Sequence, residues 1–476
     1  MRRIVLLSPA LFIGLYFFGF ARWGLFADFT QDDLMNMYRS MVCSYSTLVG
    51  DNLIFWRFSP TFRPFGALLY KLSLDWFGLN LTAFSILRYA TMCANLFLLY
   101  GLTRRLAGSR EAGALAALLY AHHLAFSSLY FNTGTCYDIF CYFFFFSALL
   151  YYIRIRQSGR HLGVPHVLVF CALLVLALDA KEMAVVMPAI IGLYELLYHP
   201  PKTLKAWFGR AAVTPLVSGV IVLAYYFGRV NHKDGIAHVG GYRTVINLAG
   251  YLRQAGHYLI EALYQPDRTL PAATTTIFLV ALFAIAALLR SKALAFSALL
   301  FWVGILPVAF IPWRGLNAVY IPLAGLAIFL AVLLVEAREF LTGRLGSPVE
   351  GKIVLFVVVA SALMHVHPTA HGHYESWQRD EYANIRAVMD QMPQLHPHLK
   401  PGDRILVVKD PFKQFNWASL FIARLVYRDE SLAVDRLVSM DHKPTATQVA
   451  GYDFRLAFED GKLRDVAASQ VPLGPD

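Results

Sequence analysis

Charged residues are scarce in this chain of 476 residues. Asp, Glu, Lys and Arg together make up 15% of it, whereas apolar residues make up 57% and aromatic residues 14%. Soluble globular proteins carry about 25% charged residues. A mean hydropathy of +0.51 is too high for a soluble chain of this length. The composition therefore predicts a multi-pass, polytopic α-helical membrane protein.

Cysteine is also rare. The sequence has 5 cysteines, and their spacing matches neither the paired ligands of a metal site nor a disulfide framework. Most of them lie in or beside apolar runs, where a free cysteine behaves as a small packing residue. The sequence therefore predicts packing roles for Cys43, Cys93, Cys136, Cys141 and Cys171.

Long apolar runs dominate what remains, and we interpret them as about 11 transmembrane helices. Several are shorter than the roughly 20 residues that a perpendicular helix needs, so their boundaries and number are approximate. The first run follows Met1-Arg2-Arg3 and lacks a small-x-small cleavage site, which favours a retained helix over a signal peptide. The predicted spans are residues 4–20, 81–103, 112–131, 137–153, 164–178, 183–198, 211–227, 272–289, 293–312, 316–335 and 353–365.

Basic residues are distributed unevenly among the connecting loops. Every second loop is rich in Lys and Arg, while the short loops between them hold only Lys181 and Arg314, or none near Asn132. The positive-inside rule places the basic loops in the cytoplasm. The net charge of +11 largely follows from this anchoring pattern, so we expect no nucleic-acid partner. The basic loops carry Arg104, Arg105, Arg110, Arg154, Arg156, Arg160, Lys202, Lys205, Arg210, Arg290, Lys292, Arg338, Arg344 and Lys352.

Three segments outside the spans fall on the opposite, extracytoplasmic side. Residues 27–80 form a first outer loop with amphipathic stretches that suit interfacial helices, and residues 231–271 form a second large outer loop. Residues 368–476 combine a polar helical stretch with a strand-like segment at 404–409, which predicts a small C-terminal α/β domain. Residues 1–367 then form the transmembrane module. We expect the tail to carry no catalytic group.

An acidic pair follows the first span closely. A carboxylate at Asp32 or Asp33, held where the chain leaves the bilayer, is well placed to accept a proton from a hydroxyl. The alternative is structural, because an Asp directly before Leu34 is an ordinary way to start a helix.

Further charges are predicted on the same membrane face. Each alone is explained as a helix-end charge that reaches water, but together they bring carboxylates and cations to one side. Arg binds phosphate through two hydrogen bonds and Lys as a point charge, so such a cluster suits a phosphate-bearing lipid. The residues are Arg63, Asp138, Lys181, Glu182 and Arg314.

The order of these motifs resembles the GT-C superfamily of integral-membrane glycosyltransferases, and within it the protein O-mannosyltransferase-like branch. The resemblance covers roughly residues 1–340, and it depends on motif order and topology because each motif alone is weak. The matching residues are Asp32-Asp33 after the first helix, Arg63-Pro64 before an interfacial helix, His122-His123 in the third helix, Asp138 at the start of the fourth, Lys181-Glu182 with Pro188, and Arg314 with Tyr320, Pro322 and Gly325.

The resemblance implies transfer of a sugar from a polyprenyl-phosphate donor to an acceptor hydroxyl on the extracytoplasmic face. Asp32 is then the catalytic base, with Asp33 as the alternative. The acceptor is a lipid, a polysaccharide or a protein. No cofactor is expected, and the first loop lacks the longer acidic constellation of oligosaccharyltransferases, which leaves a divalent cation as an open alternative. The resemblance implies phosphate contacts from Arg314, Lys181 and Arg63, and further site roles for Asp138, Glu182, His123 and Tyr320.

Two other classes of protein have similar sequence features. A lipid or sugar transporter or flippase is also polytopic, but it often has internal repeats and broken helices at the bilayer midplane, neither of which this sequence shows. A non-catalytic subunit of an envelope-assembly complex would use the tail as its working part. In every case we expect a multi-pass protein of the cell (inner) membrane, in contact with membrane lipids, with the site and the tail periplasmic.

Overall fold

The computed structural model describes residues 13–16, 18–200, 203, 209–264, 270–312, 314–345, 348–413 and 416–474. Most of the predicted first span therefore lies outside the described residues, although residues 13–16 and 18–19 are helical. The helices in chain order are α1 Gln31–Val42, α2 Tyr45–Leu53, α3 Pro64–Phe77, α4 Thr82–Ala107, α5 Arg110–Ala121, α6 Ala125–Phe131, α7 Cys136–Gln157, α8 Val164–Ala180, α9 Met187–Tyr198, α10 Arg210–Tyr225, α11 Leu248–Ala262, α12 Ala272–Leu288, α13 Lys292–Gly304, α14 Leu306–Ala309, α15 Tyr320–Leu345, α16 Pro348–Leu395, α17 Ala418–Tyr427 and α18 Ala446–Ala450.

Six described helical segments are long and apolar enough to cross a membrane, and a seventh is added if α5 and α6, bent by 66°, form one broken span. The chain is thus an integral membrane protein, but the count of 11 spans is not confirmed. Helices α8 and α12 have 17 residues each and α9 has 12, below the roughly 20 that a perpendicular span needs. The run that ends in α9 is divided by a 3-10 turn at Glu182–Val186.

The bundle centres on α15, which packs against α13 and α5, while α4 packs against α5 and α7. Gly325 in α15 marks the closest approach to α13. A Cβ at this position would lie 2.5 Å from the carbonyl oxygen of Ser297 and 2.6 Å from the backbone nitrogen of Phe301. Only glycine fits there, so Gly325 is explained by the packing of these two helices.

The segment before α4 contains the three short helices α1, α2 and α3. Helix α1 buries Leu34 and Met37 and packs against α3. Helix α3 begins with Pro64 at its first position, where the missing N–H costs no hydrogen bond. Its Gly66 adjoins the ring of Tyr137, which a Cβ would meet at 2.1 Å. This contact holds the start of α3 against α7.

The C-terminal region contains a four-stranded sheet in the order β2-β1-β3-β4. Strands β2, β1 and β3 are parallel, and β4 is antiparallel to β3. The small C-terminal sheet is therefore present, and its first strand is the predicted one. Helix α16 has 48 residues and runs without a break past the predicted domain boundary at residue 368. The strands are β1 Arg404–Lys409, β2 Ala433–Arg436, β3 Phe454–Glu459 and β4 Lys462–Asp465.

Candidate active site

Asp33 is fixed by hydrogen bonds at the start of α1. Thr30 is the N-cap, and the backbone N–H and hydroxyl of Thr30 donate to Asp33 Oδ2 at 2.8 and 2.7 Å, completing a capping box. The hydroxyl of Tyr70 donates to Asp33 Oδ1 at 2.6 Å. Burial raises the pKa of Asp33, and the hydrogen bonds from Thr133, Tyr70 and Thr30 oppose that rise. Asp33 is fully buried and has a structural role.

Asp32 lies in the opposite situation, one residue earlier. Its side chain is exposed, and the part of the chain that the structure describes offers it no hydrogen bond or ion pair. The turn before α7 closes against it, since a Cβ at Gly134 would lie 3.2 Å from the Cβ of Asp32. Partial desolvation by the surrounding protein raises the pKa of Asp32, and the charge of Asp33 raises it further. The charge of Arg63 lowers this pKa. Asp32 is an accessible carboxylate.

Arg63 and Glu182 form a two-point ion pair next to Asp32. Arg63 Nη2 donates to Glu182 Oε1 at 2.6 Å, and Arg63 Nε donates to Glu182 Oε2 at 3.1 Å. The guanidinium also lies over the ring of Tyr137, 5.4 Å from its centre. Burial would raise the pKa of Glu182, but the Arg63 charge and hydrogen bonds outweigh it, and the pKa falls to about 2. Glu182 is thus an ionised partner that orients Arg63.

A second ion pair adjoins the first. Lys181 Nζ donates to Asp138 Oδ1 at 2.6 Å, and Asp138 lies in the first turn of α7. The carbonyl oxygen of Lys181 accepts from Cys141 Sγ at 3.4 Å, which fixes the turn after α8 against α7. Because Lys181 and Glu182 are consecutive, this turn joins both pairs, and the four charges cancel.

Arg314 is connected to the cluster through Tyr242. Its guanidinium carbon lies 3.4 Å from the centre of the Tyr242 ring, and Tyr242 in turn lies within electrostatic range of Arg63. The backbone N–H of Arg314 donates to the Tyr258 hydroxyl at 3.3 Å. Its Nε is buried without a partner, and within the described ranges no carboxylate pairs with its side chain. Arg314 is therefore a cation available to an anionic ligand.

Two predicted site residues lie elsewhere, in the packed core. His123 Nδ1 accepts from the backbone N–H of Ala125 at 3.2 Å, so Nε2 is the donor to the carbonyl oxygen of Ala262 at 2.9 Å. The Tyr320 hydroxyl accepts from Asn95 Nδ2 at 3.3 Å. Both side chains are buried, and these contacts use them in packing. Among the described residues no group of three His, Cys, Asp or Glu is arranged to hold a metal ion.

Sequence reasoning missed several residues at the cluster. The pattern Thr30-x-x-Asp33 is a capping-box signature and would have identified Asp33 as the structural member of the pair. Tyr70, Tyr242 and Glu381 reach the cluster through contacts distant in sequence, for which no local pattern exists.

No protein-family model and no curated protein sequence matches the chain. Among solved structures, ArnT from Cupriavidus metallidurans bound to undecaprenyl phosphate is similar, with a TM-score of 0.52 and 14% identity, over 98% of this chain and 99% of that chain. The same protein in the apo state has a TM-score of 0.44 and 14% identity, over 86% and 81% of the two chains. The chain has an ArnT-like fold. Membership of the GT-C superfamily, and of its protein O-mannosyltransferase-like branch, stays a prediction.

Proposed function

We propose that this protein is a glycosyltransferase that moves a sugar from a polyprenyl-phosphate donor to an acceptor hydroxyl on the extracytoplasmic face of the membrane. The observation that carries the proposal is that, among the described residues, the side chains of Asp32 and Arg314 have no ion-pair partner, while two neutral ion pairs lie near them. Glycosyl transfer to a hydroxyl needs both a base and a cation for the departing phosphate. The similarity to ArnT bound to undecaprenyl phosphate supports a donor of this lipid class.

The proposed reaction is a single displacement at the anomeric carbon. Asp32 accepts the proton of the acceptor hydroxyl, and the acceptor oxygen forms a bond to the anomeric carbon. The bond between that carbon and the phosphate oxygen breaks, and polyprenyl phosphate leaves with the electron pair. Arg314 then neutralises the charge that develops on the leaving phosphate, as an Arg fork does for phosphate oxygens.

Asp138 and Glu182 have supporting roles in this proposal. Each holds a cation, Lys181 or Arg63, in a fixed position before the donor binds. Lys181 has three N–H donors and uses one on Asp138, so it can still donate to a phosphate. Preorganised donors of this kind stabilise developing charge without reorganisation during the reaction. Asp33 stays in its capping box and does not act as the base.

The direction of the site follows from the loop charges. The basic loops favour the cytoplasm, which puts the acidic pair and the C-terminal sheet on the opposite, periplasmic side of the inner membrane. A site facing outward needs a donor that has crossed on a lipid, because sugar nucleotides are made in the cytoplasm. The motif order favours the protein O-mannosyltransferase-like branch, and the acceptor is a lipid, a polysaccharide or a protein.

The test is release of polyprenyl phosphate by the purified full-length protein in liposomes. A panel of radiolabelled polyprenyl-phosphate sugars is supplied with membrane extract as the acceptor source, and Asp32→Asn protein is the matched control. We expect release from at least one donor with wild-type protein and not with the variant. Equal release by both proteins, or none from any donor, would contradict the proposal. Movement of a fluorescent polyprenyl-phosphate lipid across the bilayer without sugar transfer would indicate a flippase.

A further inference from the structure

The C-terminal region contacts the chain segment that leads into the acidic pair. Arg386 of α16 donates from Nε and Nη2 to the two carboxylate oxygens of Asp28, both at 2.6 Å. Trp417, at the start of α17, donates from Nε1 to the backbone carbonyl oxygen of Gln31 at 3.2 Å. The segment is therefore held at both ends, and Gln31 directly precedes Asp32.

Glu381 lies at the centre of this contact. Its Oε1 accepts from the backbone N–H of Gln31 at 3.4 Å, on the first residue of α1. It also accepts a side-chain hydrogen bond from Asn416, in the segment that follows β1. One carboxylate thus joins α1 to the loop at the carboxyl end of the central parallel strand of the sheet. A carboxylate also interacts favourably with the N-terminal end of a helix.

The docking of the tail extends beyond this point. Arg424 donates to the Tyr38 hydroxyl at 3.3 Å, and Arg428 donates to the carbonyl oxygen of Leu74 at 2.9 Å. Helices α17 and α1 pack side by side. The tail therefore contacts both α1 and α3, so its position and that of the acidic pair are linked.

The charges around Asp32 come from three elements. Asp33 on α1 is its like-charged neighbour, and Arg63 before α3 is the opposing cation. Glu381 on α16 adds a third carboxylate. Burial raises the pKa of Glu381, and the charges of Asp32 and Asp33 raise it further. By reciprocity an ionised Glu381 opposes ionisation of Asp32. One turn further along α16, Arg386 is neutralised by Asp28.

We propose that Glu381 is a positioning residue for Asp32, through which the C-terminal region fixes the first turn of α1 and adds negative charge beside the base. This inference rests on the proposed function. Glu381 contacts neither substrate nor the reacting atoms. One of its hydrogen bonds holds Gln31, and its carboxylate, when ionised, opposes ionisation of Asp32.

The experiment compares Glu381→Gln with wild type and with Asp380→Asn, which removes the same charge from an exposed neighbouring position on α16. Polyprenyl-phosphate release is measured from about pH 4 to about pH 8, together with donor KM. We expect the acid limb of the Glu381→Gln profile to move to lower pH by roughly half to one unit, because a neighbouring like charge is lost. Donor KM stays unchanged, and Asp380→Asn matches wild type.

A second measurement does not depend on turnover. A water-soluble carbodiimide reacts with protonated carboxyl groups, and mass spectrometry of the digested protein gives the extent of Asp32 labelling at each pH. As the pH is lowered, labelling of Asp32 should begin at a lower pH in Glu381→Gln than in wild type. Melting temperatures are measured to exclude unfolding. Coincident profiles in both measurements would overturn the positioning role. A wild-type protein without transfer would overturn the proposed function instead, and the labelling would still decide the role of Glu381.

Discussion

The two ends of α7 differ in how their charged side chains are paired. Asp138 lies in its first turn and Arg156 in its last, 18 residues or about 27 Å apart. At the Arg156 end, the buried pair of Arg156 and Glu195 is closed by bonds of 2.7 and 2.8 Å and by the Tyr152 hydroxyl at 2.9 Å. Further charges there, such as Arg154, are exposed and basic.

At the Asp138 end lie the pairs Asp138–Lys181 and Arg63–Glu182. Nearby, Asp32 and Arg314 have opposite charges, and neither has an ion-pair partner in the part of the chain that the structure describes. Burying a charge is costly unless it is paired, so a closed pair such as Arg156–Glu195 is explained by structure alone. A structural role of this kind does not explain Asp32 and Arg314, which are not part of a closed pair. Pairing therefore separates charges with a structural role from charges that are available to chemistry.

The largest effect is expected at Asp32. Asp32→Asn removes the only accessible carboxylate of the pair, and loss of a general base lowers the rate of transfer by about 10²–10⁴-fold. Initial rates of polyprenyl-phosphate release with the purified protein measure this. Asp33→Asn is the matched control. It leaves one acceptor oxygen where the carboxylate has two for Thr30 and Tyr70, and it is expected to lower the melting temperature more than the rate per folded molecule. The reverse pattern would reassign the base to Asp33.

At the Arg156 end of α7, substitutions should lower stability and leave activity unchanged. Glu195→Ala leaves Arg156 buried without its partner, and breaking one half of a buried pair costs about 3–5 kcal/mol. Thermal unfolding in detergent should show a clear drop in melting temperature, with the transfer rate per folded molecule unchanged. The double variant Arg156→Met/Glu195→Leu removes both charges and should recover most of the loss. Lost activity in a stably folded double variant would show that this end also has a functional role.

Arg314 is expected to act on donor affinity. Hydrogen bonds to charged groups contribute about 1.5–3 kcal/mol, so Arg314→Ala should weaken donor binding by about 10–100-fold. Arg314→Lys keeps the charge but loses the two-point fork, and an intermediate loss is expected. Titration with polyprenyl phosphate measures both, with Arg253→Ala, an exposed residue of α11, as the control. Unchanged affinity in Arg314→Ala would mean that its unpaired state is incidental.

The sequence was informative about residues near helix ends and uninformative about their partners. Asp32, Arg63, Asp138 and Lys181 were predicted on one face because each follows or precedes an apolar run, and the structure brings them together. The sequence alone does not predict that Arg63 pairs with Glu182, because such contacts depend on how distant helices pack.

Other features of the structure have no signal in the sequence, also for physical reasons. His123 and Tyr320 match motif positions, yet their polar atoms are used within the core, which periodicity does not reveal. The count of spans is not confirmed, because the apolar run that ends in α9 is divided by a 3-10 turn and leaves a helix of 12 residues. The small C-terminal sheet was predicted by its first strand, but its docking on α1 left no local signal.

The smallest predicted effect concerns the stability of the Asp32 variant as pH changes. The folded protein raises the pKa of Asp32 above its value in the unfolded chain, by partial desolvation and by the Asp33 charge. A carboxyl group with a raised folded pKa binds more protons in the folded state, so its ionisation lowers the free energy of unfolding as pH rises between the two pKa values. The cost is absent below the unfolded value of about 3.9 and grows as pH rises above it. Asp32→Asn removes this cost, so its melting temperature at pH 7 should equal or exceed that of wild type by about 1–2 °C, the scale of an accessible charge in a large chain. The difference should shrink as pH falls toward the unfolded value of about 3.9, because wild-type Asp32 takes up its proton over that range. Thermal unfolding at several pH values, with Asp380→Asn as the exposed control, measures this difference in melting temperature.

A variant that is less stable than wild type at pH 7 would mean that Asp32, like Asp33, contributes to the fold. The distinction between paired structural charges and accessible charges would then not hold for Asp32, the residue on which the proposed function depends most.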